Sequence, residues 1–373
     1  MDSLISTLRP INVGIIGCGN IFGAYAKGCA LFRSLKLKAC ADLNPEAAHA
    51  QAKEYQIAAL SIPELLADPE IEIVINLTIP KVHASVSMDI LRAGKHVYSE
   101  KPLGVNVAEG RAVLDLAKEK NLRVGCAPDT FLGAGYQTCR KLIDDGWIGR
   151  PISGTAFMLS SGPESWHPNP GFFYQEGAGP MMDMGPYYVT ALVHLLGPVK
   201  SVLATTTSAR TERLATCKEH FGKMLPVEVP THYTGNLLFQ NGAVITMVIS
   251  FDVIAHQHKP IEIYGSEGSL GAPDPNTFGG PVSVYKKGFE SWTEIPLVYG
   301  YKENSRSIGV ADMAHAIQSG RPHRCDGRLA LHALEVMTSF QRSHEQGGWV
   351  DIENQCDHPA GFPLGLPPQV LDS

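Results

Sequence analysis

The residues of this chain best placed to do chemistry begin with a lysine between an acid and a proline. Glu100-Lys101-Pro102 follows the short β-branched and aromatic run 96–99, which is typical of a strand that ends at a loop. Because proline favours an extended conformation in the residue before it, Lys101 is expected to be held at that junction. An ammonium there can donate a hydrogen bond to a substrate oxygen, and burial would lower its pKa toward acid–base catalysis. An ordinary surface lysine in a turn is the alternative.

A second candidate group follows a glycine-rich lead at 177–179. Asp183 and Tyr187 are four residues apart, so they would share one face of a helical turn. The carboxylate would then orient a neighbouring donor, and the phenol would carry a proton if a nearby ammonium lowered its pKa. The alternative is structural: Asp183 caps the helix predicted over 187–196, and Tyr187 packs against a sheet.

A glycine-rich turn near the N-terminus has the composition of a dinucleotide site. Gly17-Cys18-Gly19 follows the apolar run 11–16 and precedes a helical segment, an arrangement that brings backbone N–H groups to a pyrophosphate. The third glycine of the usual fingerprint is missing, because Phe22 holds its place and Gly23 comes one residue later. On its own this turn is a weak match.

An acid at the end of the next predicted strand strengthens that interpretation. Asp42 lies 23 residues past Gly19, close to the spacing at which a carboxylate binds the adenosine ribose hydroxyls. A carboxylate there also repels a 2′-phosphate, so NAD is predicted rather than NADP. The alternative is that Asp42 only opens a turn. Thr78, Pro80 and His83 follow the strand predicted over 71–77 and would border the nicotinamide half, although His83 equally suits a helix cap.

Further candidates lie in the second half of the chain. Trp166 and His167 belong to a proline-rich loop dense in aromatic residues, which can stack on sugar C–H faces or cover a nicotinamide. His256 and His258 would share a face at the end of a strand, but no third ligand is evident, so we predict a pocket rim and no metal site. Arg306 could reach an anionic substrate group or pair with a surface carboxylate, and the sequence does not decide between these.

The elements that must position these residues change character along the chain. Up to residue 130 strands and helices alternate, which predicts a doubly wound parallel sheet. Beyond 131 the strand candidates are longer and alternating, and Asn241-Gly242 is a strong hairpin signal. We therefore predict an α/β Rossmann domain over 1–130 and an α+β domain over 131–373 with a large open, mainly antiparallel sheet.

Composition narrows the classes of function. The net charge of −6 and the lack of a basic block argue against nucleic-acid or anionic-membrane partners. No apolar run approaches the roughly 18 residues of a membrane helix, and residues 1–10 lack a signal pattern. The eight cysteines form no Cys-x-x-Cys pair, so we expect reduced thiols in a cytoplasmic protein.

Three of these motifs together resemble one known family. Gly17-Cys18-Gly19, Thr78-x-Pro80-x-x-His83 and Glu100-Lys101-Pro102 are similar to the glucose–fructose oxidoreductase / inositol dehydrogenase / MocA (Gfo/Idh/MocA) family, and the similarity covers essentially the whole chain. The resemblance implies an NAD(P)-dependent enzyme acting on sugars, polyols and related carbonyl compounds, in which Lys101 contacts the reacting oxygen. It also implies subunit pairing through the open sheet, as a homodimer or homotetramer.

The chain departs from the family pattern at three places. Tyr187 stands where the family commonly has histidine, although some relatives also carry tyrosine there. His167 replaces an arginine that follows Trp166 near the nicotinamide. Ala127-Pro128-Asp129 stands where the family often has Asn and Arg-Phe, so the contacts of that segment are in doubt.

These considerations give two sets of predicted site residues besides the catalytic Lys101, Asp183 and Tyr187. The predicted cofactor contacts are Gly17, Cys18, Gly19, Asn20, Ile21, Asp42, Leu77, Thr78, Pro80, His83, Glu100, Lys101 and Trp166. The predicted substrate contacts are Lys101, Asp129, Trp166, His167, Asp183, Tyr187 and His256.

Three functions are compatible with such a site. The first is hydride transfer between a sugar-like substrate and nicotinamide C4, with Lys101 and Tyr187 handling the hydroxyl proton and Asp183 orienting them. The second is redox-neutral glycoside cleavage, in which oxidation acidifies a neighbouring C–H, elimination and hydration follow, and re-reduction restores the cofactor. The third is a non-catalytic NAD-binding sensor, which the joint presence of lysine, aspartate and tyrosine makes the least favoured.

Overall fold

The computed structural model describes residues 9–366 and 369–372, so most of the N-terminal segment examined for a signal pattern lies outside it. Within these residues no helix has the length and apolar character needed to cross a bilayer. All eight cysteines are buried and have free thiols.

The first sheet has six strands, and all of them are parallel. Its strands are β1 (Ile11–Ile16), β2 (Leu35–Ala41), β3 (Ala58–Ala59), β4 (Ile73–Asn76), β5 (His96–Ser99) and β6 (Val124–Cys126). They lie in the order β3-β2-β1-β4-β5-β6. Every residue of β4 is buried, as expected for a strand covered by helices on both faces. The predicted doubly wound sheet is confirmed.

Five helices flank this sheet, and most begin at a capping side chain. They are α1 (Phe22–Leu31), α2 (Pro45–Tyr55), α3 (Ile62–Ala67), α4 (His83–Arg92) and α5 (Val107–Glu119). Asn44 and Asn106 cap α2 and α5, and Ser61 forms a capping box with Glu64 at α3. No side chain caps α1, so its N-terminus stays open to the glycine turn.

The remaining strands form a nine-stranded sheet and a separate hairpin. They are β7 (Pro151–Leu159), β8 (Val199–Thr207), β9 (Glu212–Leu214), β10 (Met224–Pro226), β11 (His232–Phe239), β12 (Val244–Ser250), β13 (Ile261–Gly265), β14 (Gly268–Ala272), β15 (Val282–Lys286), β16 (Thr293–Ile295) and β17 (Val350–Asp351). The large sheet runs β16-β15-β14-β13-β7-β12-β11-β8-β17 and is antiparallel except between β7 and β12. The predicted mainly antiparallel sheet is confirmed, with the hairpin at Asn241-Gly242 joining β11 to β12.

Four helices lie in the described part of the chain beyond residue 131, and the third of them packs on the first sheet rather than on the large one. They are α6 (Ala134–Asp144), α7 (Gly179–Leu196), α8 (Ile308–Ser319) and α9 (Gly327–Gln346). Helices α7 and α9 pack on the large sheet, and β11 alternates buried with half-buried residues as one-sided packing requires. On the opposite side Val244 of β12 remains 36% exposed. Subunit pairing through this face stays a prediction.

Helix α7 differs from its predicted bounds in a way that matters for the site. It begins at Gly179, whereas the sequence predicted a start at residue 187, and Pro186 lies inside it. The glycine–proline lead therefore forms the first turns of the helix instead of a loop. Consequently Asp183 and Tyr187 both lie on α7, one turn apart.

The β9–β10 hairpin and its flanks, residues 209–230, form an extension that we call the arm. Ala215 and Leu225 of the arm pack with Phe173, Tyr174 and Phe251 in a small apolar cluster separate from the main core. The arm is thereby attached to the aromatic loop that precedes α7.

Candidate active site

The glycine turn between β1 and α1 has the shape that a bound pyrophosphate requires. Gly17 has a φ of +102°, and a Cβ there would lie 2.6 Å from the Leu77 backbone, so only glycine fits. A Cβ on Gly19 would instead project into open space. The exposed Asn20 borders that space, and the uncapped first turn of α1, next to Ile21, directs its N-terminus toward it.

The missing third glycine has a packing explanation. Phe22 is fully buried, and its ring centroid lies 5.6 Å from that of Tyr55 on α2. A Cβ on Gly23 would lie only 2.9 Å from the Tyr55 hydroxyl oxygen. The close-packing glycine of the fingerprint has therefore moved by one residue, while the two glycines facing the phosphate position are retained.

Asp42 lies just past β2, where its two oxygens hold both neighbouring loops. Oδ2 accepts the Cys18 N–H at 2.7 Å, and Oδ1 accepts the Asn44 N–H at 2.8 Å. Each oxygen retains a lone pair that a ribose hydroxyl can use. A cleft of about 440 Å³ opens beside Asp42 and is lined in part by His49 and by Leu43, which is 91% exposed. This geometry suits an adenosine ribose with its base in the cleft.

The rim formed by Thr78 and His83 is held by internal hydrogen bonds. Asn76 Oδ1 accepts the Thr78 hydroxyl at 2.6 Å, and the loop then turns through Pro80. The His83 ring is buried, with Nδ1 2.7 Å from the Pro102 carbonyl oxygen and Nε2 2.9 Å from that of Thr78. Burial lowers the His83 pKa, which favours a neutral ring. A neutral ring donates to one of these two carbonyl oxygens and holds the rim in place, and the predicted cofactor contact of His83 stays a prediction.

Lys101 is the point at which the two sheets contribute to one site. Its Nζ donates to the main-chain oxygen of Asp183 at 2.8 Å and to Oδ1 of the same residue at 2.9 Å. The same Nζ lies 5.2 Å from the centroid of the Tyr187 ring. Glu100 holds the backbone of the lysine in place. Its Oε2 accepts the Lys101 backbone N–H at 2.9 Å, and its Oε1 accepts the Tyr25 hydroxyl at 2.7 Å. The predicted triad of Lys101, Asp183 and Tyr187 is thus brought together.

Pro186 interrupts the hydrogen bonding of α7 next to the residue that contacts Lys101. Proline has no N–H, so the Met182 carbonyl oxygen, four residues earlier, has no partner from the backbone of Pro186. The Asp183 carbonyl oxygen accepts Lys101 Nζ at the same place.

The charge states of the lysine and the phenol differ from the expectation. Burial disfavours the Lys101 ammonium, but the charges of Asp183, Tyr187 and Glu100 outweigh it and raise the Lys101 pKa above its ordinary value. Burial also raises the Tyr187 pKa, because the Lys101 ammonium offsets only part of the desolvation. The predictions of a lowered pKa for both groups were wrong. Lys101 remains a cation and acts as a hydrogen-bond donor.

The sequence left open whether Arg306 binds an anionic substrate group or pairs with a surface carboxylate. In the structure its side chain is hydrogen-bonded to two asparagines. Its Nη1 and Nη2 donate to the side-chain oxygens of Asn304 and Asn276, each at 3.2 Å. The positive charge of Arg306 also favours the ionised Tyr187 phenol, which lowers the Tyr187 pKa against the larger effect of burial. No local pattern marked this residue, because it lies 205 positions beyond Lys101 in the sequence.

Asp129, a predicted substrate contact, lies in a buried position. Only 1% of this residue is exposed, and its Oδ2 accepts the Gly309 N–H at 3.1 Å in the first turn of α8. Burial raises the Asp129 pKa to about 6, although the Gly309 N–H and the charge of Arg306 favour the carboxylate. Asp129 therefore bonds to the first turn of α8 from a buried position, and its expected contact with substrate stays a prediction.

The aromatic loop divides into an exposed and a buried part. Trp166 is 66% exposed, and its ring meets that of His167 edge-on at 5.5 Å. The His167 ring in turn lies 4.8 Å from that of Phe173, which is buried in the small apolar cluster. The loop thus has a packed base and an exposed tip. Cofactor and substrate contacts by Trp166 and His167 stay predictions.

His256 lies outside any strand, in contrast to the expectation. Strand β12 ends at Ser250, and His256 lies in the exposed segment that leads to β13. Its ring stacks on His258 at 6.3 Å, and His258 stacks on Phe157 at 4.2 Å. In the part of the chain that the structure describes, no three or more His, Cys, Asp or Glu side chains are grouped to hold a metal ion.

Two family models match this chain. Residues 11–127 match the oxidoreductase family, NAD-binding Rossmann fold, and residues 136–271 match the GFO/IDH/MocA C-terminal domain. The chain belongs to the Gfo/Idh/MocA family. Its cofactor is NAD, and the open space at Gly19 together with the Asp42 carboxylate fits that dinucleotide.

Relatives of this Gfo/Idh/MocA chain include a levoglucosan dehydrogenase and an inositol 2-dehydrogenase. Levoglucosan dehydrogenase of Pseudarthrobacter phenanthrenivorans is 25% identical, with 92% of this chain and 99% of that protein covered. Inositol 2-dehydrogenase of Rhizobium meliloti is 26% identical, with 89% and 96% covered. A levoglucosan dehydrogenase structure in complex with NADH and L-sorbose has the same fold, with a TM-score of 0.79, 24% identity, and 92% and 99% covered.

Proposed function

We propose that this Gfo/Idh/MocA oxidoreductase is a dehydrogenase that transfers a hydride between nicotinamide C4 and the hydroxyl or carbonyl carbon of a sugar, polyol or glycoside. The observation that carries the proposal is the Lys101 ammonium, which reaches from the first sheet to Asp183 and lies over Tyr187. When bound, NAD supplies the hydride acceptor. The chain supplies the position of the substrate and the path of its proton.

Lys101 has one donor left for the substrate. An ammonium carries three N–H groups, and two of them bond to Asp183. The third can donate to the oxygen on the reacting carbon, where a cation stabilises negative charge that develops during hydride transfer. Because the Lys101 pKa is raised, this cation persists through neutral pH.

Asp183 and Tyr187 complete the site from α7. Asp183 fixes the direction of the ammonium through two oxygens, so the remaining N–H points along one line. Tyr187 is 7% exposed and is the hydroxyl that can exchange a proton with the substrate. Trp166, His167 and His256 are proposed as substrate contacts that bind apolar sugar faces and ring hydroxyls. Trp166 and the Thr78 rim are proposed to contact the cofactor, with His83 holding that rim in place.

The names of the relatives guide the choice of substrates to test. Purified protein would be incubated with NAD and with levoglucosan, L-sorbose, myo-inositol and chromogenic glycosides, while NADH absorbance and aglycone release are followed together. We expect substrate-dependent NADH formation. Aglycone release without NADH would contradict this and indicate redox-neutral cleavage. NAD binding without any turnover across the panel would instead indicate a sensor.

We also infer that two or four copies of this chain pair through the open face of the large sheet. The half-exposed apolar side chain of Val244 on that face supports the inference. Light scattering should give a mass of two or four chains, and Val244→Glu should lower it. The matched control is Leu214→Glu, at a side chain that is 50% exposed on the arm, and it should leave the mass unchanged. A monomer at micromolar concentration would contradict the inference.

A further inference from the structure

We propose that Tyr25 is a positioning residue whose hydroxyl holds the Glu100 carboxylate on the Lys101 backbone and so keeps that acid from binding the Lys101 ammonium. This inference rests on the proposed function, in which one N–H of the ammonium must stay available to the substrate oxygen. It gives a fully buried residue of α1, the helix that follows the glycine turn, a part in aligning the lysine.

The first observation concerns how the Glu100 carboxylate is occupied. Its Oε1 accepts the Tyr25 hydroxyl at 2.7 Å, and its Oε2 accepts the Lys101 backbone N–H at 2.9 Å. The backbone of Glu100 is fixed as well, since its N–H donates to the Asn76 carbonyl oxygen at 2.8 Å. Only a rotation of the side chain could therefore redirect the acid, and the bond from the Tyr25 hydroxyl opposes that rotation.

The second observation concerns the ammonium that the acid would otherwise bind. Among the residues that the structure describes, the Lys101 side chain bonds only to Asp183, although Glu100 is next to it in the chain. The Glu100 charge is nevertheless one of those that raise the Lys101 pKa, so the two groups attract each other. A carboxylate that lost its phenol partner would be a half-buried acceptor without a donor, and the remaining N–H of Lys101 is a charged donor.

The third observation concerns how firmly the fold holds Tyr25. Its ring is fully buried, and its carbonyl oxygen accepts the Ser307 hydroxyl of the second domain at 2.9 Å. On the same helix, a Cβ on Gly28 would lie 1.6 Å from the Arg306 carbonyl oxygen, so α1 packs directly on that segment. A helix packed this closely leaves the phenol little freedom to move away from Glu100.

The test begins with Tyr25→Phe, which removes the hydroxyl and keeps the ring. We expect the Glu100 carboxylate to turn and accept the third N–H of Lys101, which then has no donor for the substrate oxygen. At saturating NAD, kcat should fall roughly 10- to 100-fold, the range that one hydrogen bond to a charged group commonly controls. KM should change less, because negative charge on the substrate oxygen develops mainly in the transition state.

A second substitution distinguishes this role from a merely structural one. Glu100→Gln replaces the acid by a neutral amide, which binds an ammonium more weakly than a carboxylate does. With Glu100→Gln already present, Tyr25→Phe should cost no more than about threefold in kcat. Glu100→Gln alone should be less harmful than Tyr25→Phe alone, because the acid competes with substrate only when its phenol partner is missing.

The matched control is Tyr136→Phe. Tyr136 is also fully buried, and its hydroxyl donates to the Pro273 carbonyl oxygen at 2.8 Å, outside the candidate site. Both phenylalanine variants should lower the urea midpoint of unfolding, but Tyr136→Phe should leave kcat and KM unchanged. Equal losses of kcat in the two variants would show that the rate responds to any lost buried hydrogen bond and would contradict a specific role for Tyr25.

A crystal structure of NAD-loaded Tyr25→Phe separates failure of this inference from failure of the proposed function. We expect Glu100 within hydrogen-bond distance of Lys101 Nζ, whether or not any sugar in the panel is turned over. A moved carboxylate in the variant, together with no turnover by the parent protein, would count against the proposed function alone. A carboxylate that stays on the Lys101 backbone N–H, or a loss of kcat that persists in full beside Glu100→Gln, would overturn the role of Tyr25.

Discussion

Two groups of residues hold a largely buried cation: Arg213 with Glu164 and Asp252 (the Arg213 cluster), and Lys101 with Asp183 and Tyr187 (the Lys101 cluster). They differ in how many hydrogen bonds the cation makes within the protein. Arg213 on β9 bonds to Glu164 and, at 2.6 Å, to Asp252, and it also donates to the carbonyl oxygens of Ser161 and Phe251. Four of its five N–H groups are therefore bonded within the protein, and only 8% of its side chain is exposed. Lys101, in contrast, bonds through its side chain to Asp183 alone among the residues that the structure describes, which leaves one of its three N–H groups unbonded there.

The difference separates a structural role from a chemical one. Arg213 ties the arm to the aromatic loop and to the end of β12, and no donor direction is left that a substrate would need. In the Lys101 cluster, Asp183 is 28% exposed and the lysine 16%, so both face an opening. Buried cations whose bonds are complete stabilise the fold, and those with a free donor beside an opening suit catalysis.

The largest expected effect falls on rate. Lys101→Met should lower kcat/KM roughly 10³- to 10⁴-fold, because the cation that polarises the reacting oxygen is lost. Its free energy of unfolding should change by less than about 1 kcal/mol, since the Asp183 carboxylate left behind is partly hydrated. Steady-state kinetics and urea unfolding on the same preparation measure both quantities. A small loss of rate together with a large loss of stability would show that Lys101 has a structural role instead of a chemical one.

The second effect falls on stability. Arg213→Met should lower the free energy of unfolding by roughly 3–5 kcal/mol, because Glu164 and Asp252, with 12% and 9% exposed side chains, lose their cation. Urea unfolding measures it, with Arg328→Met as the control, since that side chain is 54% exposed and should cost no more than about 1 kcal/mol. Equal losses in the two variants would show that the Arg213 cluster is not structural.

The third effect concerns Asp129, a buried carboxyl that forms no ion pair among the described residues. Its folded-state pKa of about 6 lies above the ordinary 3.8, so the folded protein binds a proton before the unfolded chain does as pH falls. This group's contribution to stability is fully present below about pH 4 and is lost as pH rises through 6, a change of roughly 3 kcal/mol.

Asp129→Asn mimics the protonated form and should therefore remove that pH dependence. Relative to the parent protein, the variant should gain stability progressively between about pH 4 and pH 7. Urea unfolding at several pH values measures the difference. A difference that stays constant across this interval would show that the carboxyl does not titrate there.

The smallest effect concerns the cofactor. Asp42→Ala should weaken NADH binding roughly tenfold, because the ribose loses a charge-assisted acceptor, and it should narrow the discrimination against NADPH. Asp89→Ala, on a side chain that is 60% exposed on α4, is the control and should leave both affinities unchanged. Fluorescence titration gives the two affinities. Unchanged preference for NADH in Asp42→Ala would place the ribose elsewhere.

Much of the secondary structure of the first domain could be predicted from local sequence patterns. The strand at Ile11–Ile16, the turn at Gly17 and the acid at Asp42 each depend on neighbours within one βαβ unit, so local spacing is enough to predict them. The start of α7 was missed because glycines and an internal proline are typical of loops, whereas packing on the large sheet overrides that preference. His256 was placed at a strand end because the exact end of β12 depends on pairing with β7 and β11.

The sequence by itself determined the type of cofactor, the two-part fold and three residues that carry the proposed chemistry, because motif spacing and periodicity are local properties. Only the tertiary structure decided that Lys101 bonds to Asp183, that Asp129 is buried and that the Lys101 pKa is raised rather than lowered. These outcomes depend on burial and on charges brought together from distant parts of the chain. Their energies fall off with distance in space, which the order of residues along the chain does not specify.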